Sequence, residues 1–315
     1  MRAIAITEFG GVEKLQLLAI PMPEPGKCEI LIRIKAAGVN PVDWKIRAGM
    51  LQDRLPHEFP LIPGWDAAGI VSKKGPQTDL FTQGDEVYAY CRKPVIKEGT
   101  YAEYVVVPQS SAALKPKNMS FEEAATVPLS ALTAYQCLLD AAKLERNETV
   151  LIHAAAGGVG SFAVQLAKQQ GARVLGTARI QNHEYLRSIG CDVPIDYNAG
   201  DFRRFVQKAC PTGVDVVFDC IGGGVLATSV EVLRANGRVV SIIAPDEVET
   251  LKRKGVNAHY VFVSPNHEEL TALTHMIEAR QLRSHVSARF HLTEAAQAQE
   301  LSKSGHTRGK IVLVV

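Results

Sequence analysis

His153-Ala-Ala-Ala-Gly-Gly-Val-Gly160 follows directly on the apolar run Thr149-Val-Leu-Ile152 and precedes an apolar helical pattern over 159–170. A short β-branched run, a turn of small residues and a helix, in that order, open a βαβ unit that binds a dinucleotide. Small side chains let the backbone approach a pyrophosphate. The first N–H groups of the helix, together with its dipole, then hold the charge. The spacing Ala154-x-x-Gly157-x-x-Gly160 departs from the usual G-x-G-x-x-G at its first positions. The reading therefore leans on context, in which strand, turn, helix and second strand follow one another.

Outward from this turn the pattern alternates. Strands are expected over 149–153, 172–177, 193–197, 214–220 and 238–243, and helices over 159–170, 182–189, 201–209, 224–235 and 268–279. Such alternation predicts an α/β fold, a doubly wound parallel sheet with helices on both faces. The first 115 or so residues read differently: Met1–Ile6, Glu29–Ala36, Gly69–Ser72, Glu86–Ala89 and Ala102–Val107 are short β-rich runs. Turn signals such as Pro21-Met-Pro-Glu-Pro-Gly26 and Gln83-Gly-Asp85 separate them, as in a small barrel or curled sheet. At Ser120-Phe-Glu-Glu123 a capping box opens an alanine-rich helical stretch that runs to about Leu144, interrupted at Pro128. The segment from Val286 to Val315 returns to strands around a short helix at Thr293–Ser302 and is expected to pack on the N-terminal β domain. The expected domains are thus 1–120 with 284–315, and 121–283.

The chain has 315 residues, 46% of them hydrophobic and 22% charged, enough for two cores. Its 35 basic and 33 acidic residues nearly cancel, and no block of one sign stands out. That pattern gives no electrostatic footprint for nucleic acid or an anionic membrane. No stretch approaches the ~20 apolar residues of a membrane span. The N-terminus reads as an immediate strand, not as a signal peptide, so a cytoplasmic location is expected. Cys28, Cys91, Cys137, Cys191, Cys210 and Cys220 are scattered, with no C-x-x-C pair. They read as core thiols, with Cys220 distinguished by its place at a strand end.

The end of the second strand bears on the coenzyme. NAD-preferring proteins carry an Asp or Glu there, which accepts from the ribose 2′-hydroxyl. Here the strand Ala172–Thr177 is followed by Ala178-Arg179, a cation where the carboxylate would be. A guanidinium binds a 2′-phosphate through two charge-assisted hydrogen bonds, so NADPH is expected over NADH.

Taken together, these residues resemble the medium-chain dehydrogenase/reductase superfamily, and within it the zinc-free quinone oxidoreductase (zeta-crystallin-like) branch. Further matching segments are Ala37-Gly-Val-Asn-Pro-Val-Asp43, Pro63-Gly-Trp-Asp-Ala-Ala-Gly-Ile-Val71, Gly99-Thr-Tyr-Ala-Glu-Tyr104, Ala131-Leu-Thr-Ala-Tyr135, Val217-Phe-Asp-Cys-Ile-Gly222 and Gly309-Lys-Ile-Val-Leu313. They run in order along nearly the whole chain. The resemblance implies a GroES-like β-rich catalytic domain beside a Rossmann domain, with the site in the cleft between them. Zinc-dependent relatives have cysteine where this chain has Asn40, and a histidine where it has Trp65 in Gly64-Trp65-Asp66. Their four-cysteine lobe has no counterpart between Tyr88 and Tyr101. No metal site is expected, since zinc needs three or four closely spaced ligands.

Without a Lewis acid to polarise a simple carbonyl, the acceptor must already be electron-poor. The implied reaction is hydride transfer from NADPH to a quinone or an α,β-unsaturated carbonyl. By resemblance, Asn40 contacts the nicotinamide ribose or the substrate, and Thr133 lies by the nicotinamide. Gly157, Gly158 and Val159 hold the pyrophosphate, and Thr177, Arg179 and Tyr197 surround the adenosine phosphate. Cys220, Ile221, Ile243 and Ala244 follow strand ends where ligands gather. Phe262 and Val263 belong to a segment that approaches the nicotinamide, and Lys310 reaches the cofactor. Lys45, Asp43, Tyr90 and water are the alternatives for the proton donor. Two other readings stay open, an alkenal or enoyl-thioester reductase and a non-catalytic, crystallin-like NADPH-binding protein. The family also implies a homodimer acting on a small molecule.

Overall fold

The computed structural model describes all 315 residues, and its contacts divide them into two units, Met1–Leu132 with Ser264–Val315, and Thr133–Val263. The first unit is built on a seven-stranded sheet. Its order is 286–291, 310–314, 29–39, 66–74, 86–90, 112–114, with 104–108 also pairing on 29–39. The strand Glu29–Val39 is central because it pairs with three others. Ile30, Ile32 and Ile34 alternate inward along it onto Val71, Val87, Val105, Val107 and Leu313, the period-2 pattern of a sheet with one buried face. The strand runs three residues beyond the expected 36 and delivers Asn40 to the start of a helix, Pro41–Arg47, not foreseen in the sequence.

The division between the units falls outside the expected boundaries. Residues 121–132 and 264–283, expected with the Rossmann domain, belong to the β unit. Hydrogen bonds account for this. The buried Tyr88 hydroxyl donates to the Leu270 carbonyl at 2.7 Å, and the Thr274 hydroxyl donates to Leu114 at 3.0 Å. Both tie helix His267–Glu278 to the sheet. The capping box at Ser120 is formed as read, with Glu123 N–H on Ser120 Oγ at 3.2 Å and Ser120 N–H on the Glu123 carboxylate at 2.9 Å.

The second unit is a six-stranded sheet in the order 193–196, 173–178, 149–152, 214–219, 233–241, 257–260. Every pairing is parallel. The order reverses beside the strand Thr149–Ile152, where doubly wound sheets bind nucleotides at the carboxyl ends of their strands. That strand is buried throughout, as a central parallel strand must be. Three elements differ from expectation, one of them the helix Pro245–Arg253, not foreseen in the sequence. The helix after strand 214–219 is short, Val225–Ser229, because the chain re-enters the sheet at Leu233, opposite Val214. The polar segment Asn257–Tyr260 adds an edge strand through pairing with Arg238–Ser241. No helix in either unit is long and apolar enough to cross a membrane.

Candidate active site

In the second unit the turn after Thr149–Ile152 is shaped by its small residues. Ala154 takes a left-handed conformation, φ +50°. A Cβ on Gly160 would collide with the Ala154 carbonyl oxygen and lie 2.7 Å from Ala155 Cα, so only glycine fits. Gly157 is the N-cap of helix Gly158–Gln169, and no side chain caps it. The N–H groups at Gly158, Val159 and Gly160 are thus left for an anion.

His153 and Thr177 brace this turn from beneath. The Thr177 hydroxyl accepts from the Ala154 N–H at 3.3 Å and pairs with His153 Nδ1 at 3.1 Å. His153 Nε2 lies 2.9 Å from Ser229 Oγ. Burial holds the imidazole down at about 4, so it is neutral. Thr177 is therefore a buried support under the glycine turn, with its hydroxyl already engaged.

Arg179 and Tyr197 stand just past the ends of the neighbouring strands Arg173–Ala178 and Val193–Asp196, and Arg179 Nε donates to the Tyr197 hydroxyl at 3.1 Å. On the other side of the central strand Asp219 is buried and accepts from the N–H groups of Ile221 and Gly222, both at 3.0 Å, and from Ser241 Oγ at 2.8 Å. Ser241 in turn accepts from Ile243 and Ala244 N–H at 3.2 Å. One carboxylate thus sets both loops. Asp219 and Ser241 were not singled out from the sequence. The signal was a strand-end aspartate followed at once by glycines. Ile221, Ile243 and Phe262 present apolar surface here, whereas Val263 is buried. The Cys220 residue is half-buried but its thiol is enclosed, and burial pushes it up, which makes it a poor nucleophile. Gly157 to Val159, Arg179, Tyr197, Cys220, Ile221, Ile243, Ala244 and Phe262 therefore share the carboxyl edge of one sheet.

The first unit holds a second group, a buried polar cluster. Asn40 is the N-cap of Pro41–Arg47, with 1% of its surface exposed. Its backbone N–H donates to Asp43 Oδ2 at 2.8 Å, and its Nδ2 donates to Asp66 Oδ2 at 2.9 Å. Lys310, 4% exposed, brings its ammonium onto Asn40 Oδ1 and within 3.5 Å of Asp66 Oδ2. Asp66 Oδ1 accepts from the Leu129 N–H at 2.7 Å, and the Tyr101 hydroxyl donates to Asp43 Oδ2 at 3.0 Å. Burial pushes Asp43 up to about 7, against the pull of the Asn40 N–H, Tyr101 and Lys310. Burial also drives Asp66 up and Lys310 down, and each holds the other back. Lys310, expected to reach the cofactor, has its charged end spent inside this cluster. Thr133 is buried in helix Pro128–Tyr135. Among the alternatives for a proton donor, the Tyr90 phenol is buried and pushed up, and the Lys45 ammonium lies 5.7 Å from the Trp44 ring centre.

Zinc does not fit these residues. No three His, Cys, Asp or Glu side chains gather as a ligand set. At Asn40 and Asp66 the oxygens already face the Lys310 ammonium, which would repel a second cation.

Two family models match the chain, the alcohol dehydrogenase GroES-like domain over residues 26–117 and a zinc-binding dehydrogenase model over 189–313. The chain is 33% identical to 2-methylene-furan-3-one reductase of Solanum lycopersicum, across 99% of this chain and 79% of that protein. The solved structure of the quinone oxidoreductase from Coxiella burnetii superposes with a TM-score of 0.91 at 37% identity, covering 100% of this chain and 99% of that one. Escherichia coli quinone oxidoreductase complexed with NADPH superposes at 0.88 with 29% identity, over the whole of both chains. The chain belongs to the medium-chain dehydrogenase/reductase superfamily, in its quinone-oxidoreductase-like branch. It is an oxidoreductase with a GroES-like domain and a Rossmann-type parallel sheet.

Proposed function

We propose that this protein reduces quinones and α,β-unsaturated carbonyls with hydride from NADPH, without a metal. The observation that carries the reading is the Lys310 ammonium on Asn40 and Asp66, with Asn40 standing where the resemblance puts a cysteine in zinc-dependent relatives. With a fixed cation there, the acceptor must supply its own electron sink. A quinone or enone does so, because the added charge spreads onto oxygen.

The residues fit the cofactor. Gly157, Gly158 and Val159 offer N–H groups to the pyrophosphate. Arg179, with Tyr197 against its Nε, meets the 2′-phosphate. Ile221, Ile243 and Phe262 form apolar surface that excludes water beside the nicotinamide. Asn40 and Thr133 are the proposed contacts to the ribose or the acceptor. When bound, NADPH supplies the hydride. Water returns the proton to the enolate or hydroquinone anion. The 2-methylene-furan-3-one reductase relative supports including enones, and the quinone oxidoreductase neighbours support quinones.

The test is purified protein with NADPH and a panel of quinones, enals, enones, acyl thioesters and simple alcohols. Turnover with quinones or enones that survives a chelator is expected. Oxidation of plain alcohols that the chelator abolishes would overturn the reading. NADPH binding without turnover on any acceptor would favour a non-catalytic role.

A further inference from the structure

We propose that Lys310 is a positioning residue that acts through Asn40, by fixing which way round the Asn40 carboxamide stands. The proposal rests on the reductase reading above.

An asparagine side chain can be turned end for end with little change in shape, and only its partners say which end is oxygen. Here both ends are specified. A lysine ammonium has donors and no acceptor, so the atom facing Lys310 Nζ is Oδ1. The other end, 2.9 Å from Asp66 Oδ2, is then Nδ2, which donates to the carboxyl oxygen. The main chain is fixed as well, by the Asn40 N–H on Asp43 Oδ2. One Nδ2–H is used on Asp66, and the second makes no bond within the protein. The cluster therefore sets the direction of that second donor.

This arrangement depends on the charge of Lys310, not only on its bulk. Asp66 is fully buried, and its other fixed donors are Asn40 and the Leu129 N–H. Take the ammonium away and the carboxylate is left without its counter-ion, which favours protonation. A protonated carboxyl donates as well as accepts. It then no longer distinguishes oxygen from nitrogen, and the carboxamide turns freely between two orientations, one of which aims an acceptor where a donor is needed. The other titratable groups acting on Asp66 and Lys310 are Asp43, Tyr90, Cys91 and Tyr101. Each of these three, the tyrosines and the cysteine, is pushed up by burial and stays protonated.

The test compares wild type with Lys310→Met, Lys310→Arg and Asp66→Asn. The readouts are kcat, KM for NADPH, the pH profile and the side-chain 15N–1H signals of Asn40, assigned by their loss in Asn40→Ala. Lys310→Met is expected to lose about 100-fold in kcat, the scale of a misplaced contact, with KM for NADPH changed by less than about threefold. Its activity relative to wild type should recover as pH rises and Asp66 ionises. Lys310→Arg keeps the charge and restores kcat to within about tenfold. Asp66→Asn leaves the buried Lys310 without its counter-ion, which favours the neutral amine, and a neutral amine accepts as well as donates. It should therefore reproduce the kcat loss and move the Asn40 signals, and it carries the test where Lys310→Met does not fold. Unmoved Asn40 signals together with a kcat within twofold of wild type in Asp66→Asn or Lys310→Met would overturn the proposal. If wild type turns over no acceptor, the reductase reading fails, and the Asn40 signals still decide the positioning role.

Discussion

His153 Nε2 and Ser229 Oγ lie 2.9 Å apart, and the serine proton goes on to the Val225 carbonyl at 2.6 Å. The hydroxyl must therefore accept from the ring, which places the imidazole proton on Nε2. Nδ1 is then bare and takes the Thr177 proton. Both ring nitrogens are satisfied only while the ring is neutral, and protonation would turn Nδ1 into a second donor facing a hydroxyl that already accepts from Ala154.

This gives a stability dependence with a definite sign. The folded value of about 4 lies below the usual 6.5. Between those values the unfolded chain binds the extra proton, so this residue's contribution is full above pH 6.5 and fades as pH falls toward 4. Wild type should lose about 2 kcal/mol relative to His153→Asn between pH 7.5 and 5. Urea denaturation of both proteins at the two pH values measures it. A constant difference would refute the assignment.

Asp43 runs the other way. Its folded value of about 7 lies above the usual 3.8. The folded protein therefore holds the proton in that window, and acidification through it stabilises wild type. Relative to Asp43→Asn, wild type should gain about 2 kcal/mol between pH 7.5 and 5.5. The same denaturation series reads it, and a loss over that range would show the carboxyl to be ionised throughout.

Arg179 carries the coenzyme preference. Removing a charge-assisted hydrogen bond costs about 1.5–3 kcal/mol, so Arg179→Ala should weaken NADPH binding by about 10–100-fold and leave NADH almost unchanged. Calorimetry with both dinucleotides decides this. Equal losses for the two would place the 2′-phosphate elsewhere.

Gly157 and Gly160 face the same Ala154 carbonyl oxygen but should not tolerate the same change. A Cβ on Gly157 would meet that oxygen at 3.2 Å, whereas on Gly160 it would overlap it and press on Ala155 Cα at 2.7 Å. Gly160→Ala is expected to lower stability by about 2 kcal/mol, as overpacking does, and to weaken NADPH binding more than Gly157→Ala. Thermal melts and binding titrations of the pair check the order.

Much of this was legible in the chain. The turn at 153–160, the capping box at Ser120 and the central strands appear where the pattern put them, because each depends on near neighbours. What escaped depends on distant partners. Strand Asn257–Tyr260 has no apolar pattern and exists through its pairing with Arg238–Ser241. Helix His267–Glu278 has an ordinary amphipathic look, and distant partners such as Tyr88, Ala112, Leu114 and Asn118 assign it to the β unit. Nothing near His153 in the sequence signals its role, since its partners lie 24 and 76 residues away. Lys310 read as a cofactor contact, and its ties to Asn40 and Asp66, 270 and 244 residues away, leave no trace in the local sequence.

The strand Lys310–Val314 lies inside its sheet, between Val286–His291 and Glu29–Val39. It is translated 244 residues after Asp66, about 12–50 s later at ordinary ribosomal rates. During that interval the two carboxylates of the cluster wait without their cation. Residues 133–263, by contrast, are contiguous and emerge as one complete sheet. On the ribosome the order of completion is therefore inverted with respect to the order of synthesis: the middle of the chain has all its strands first, and the portion made earliest gains its last strand only at the end.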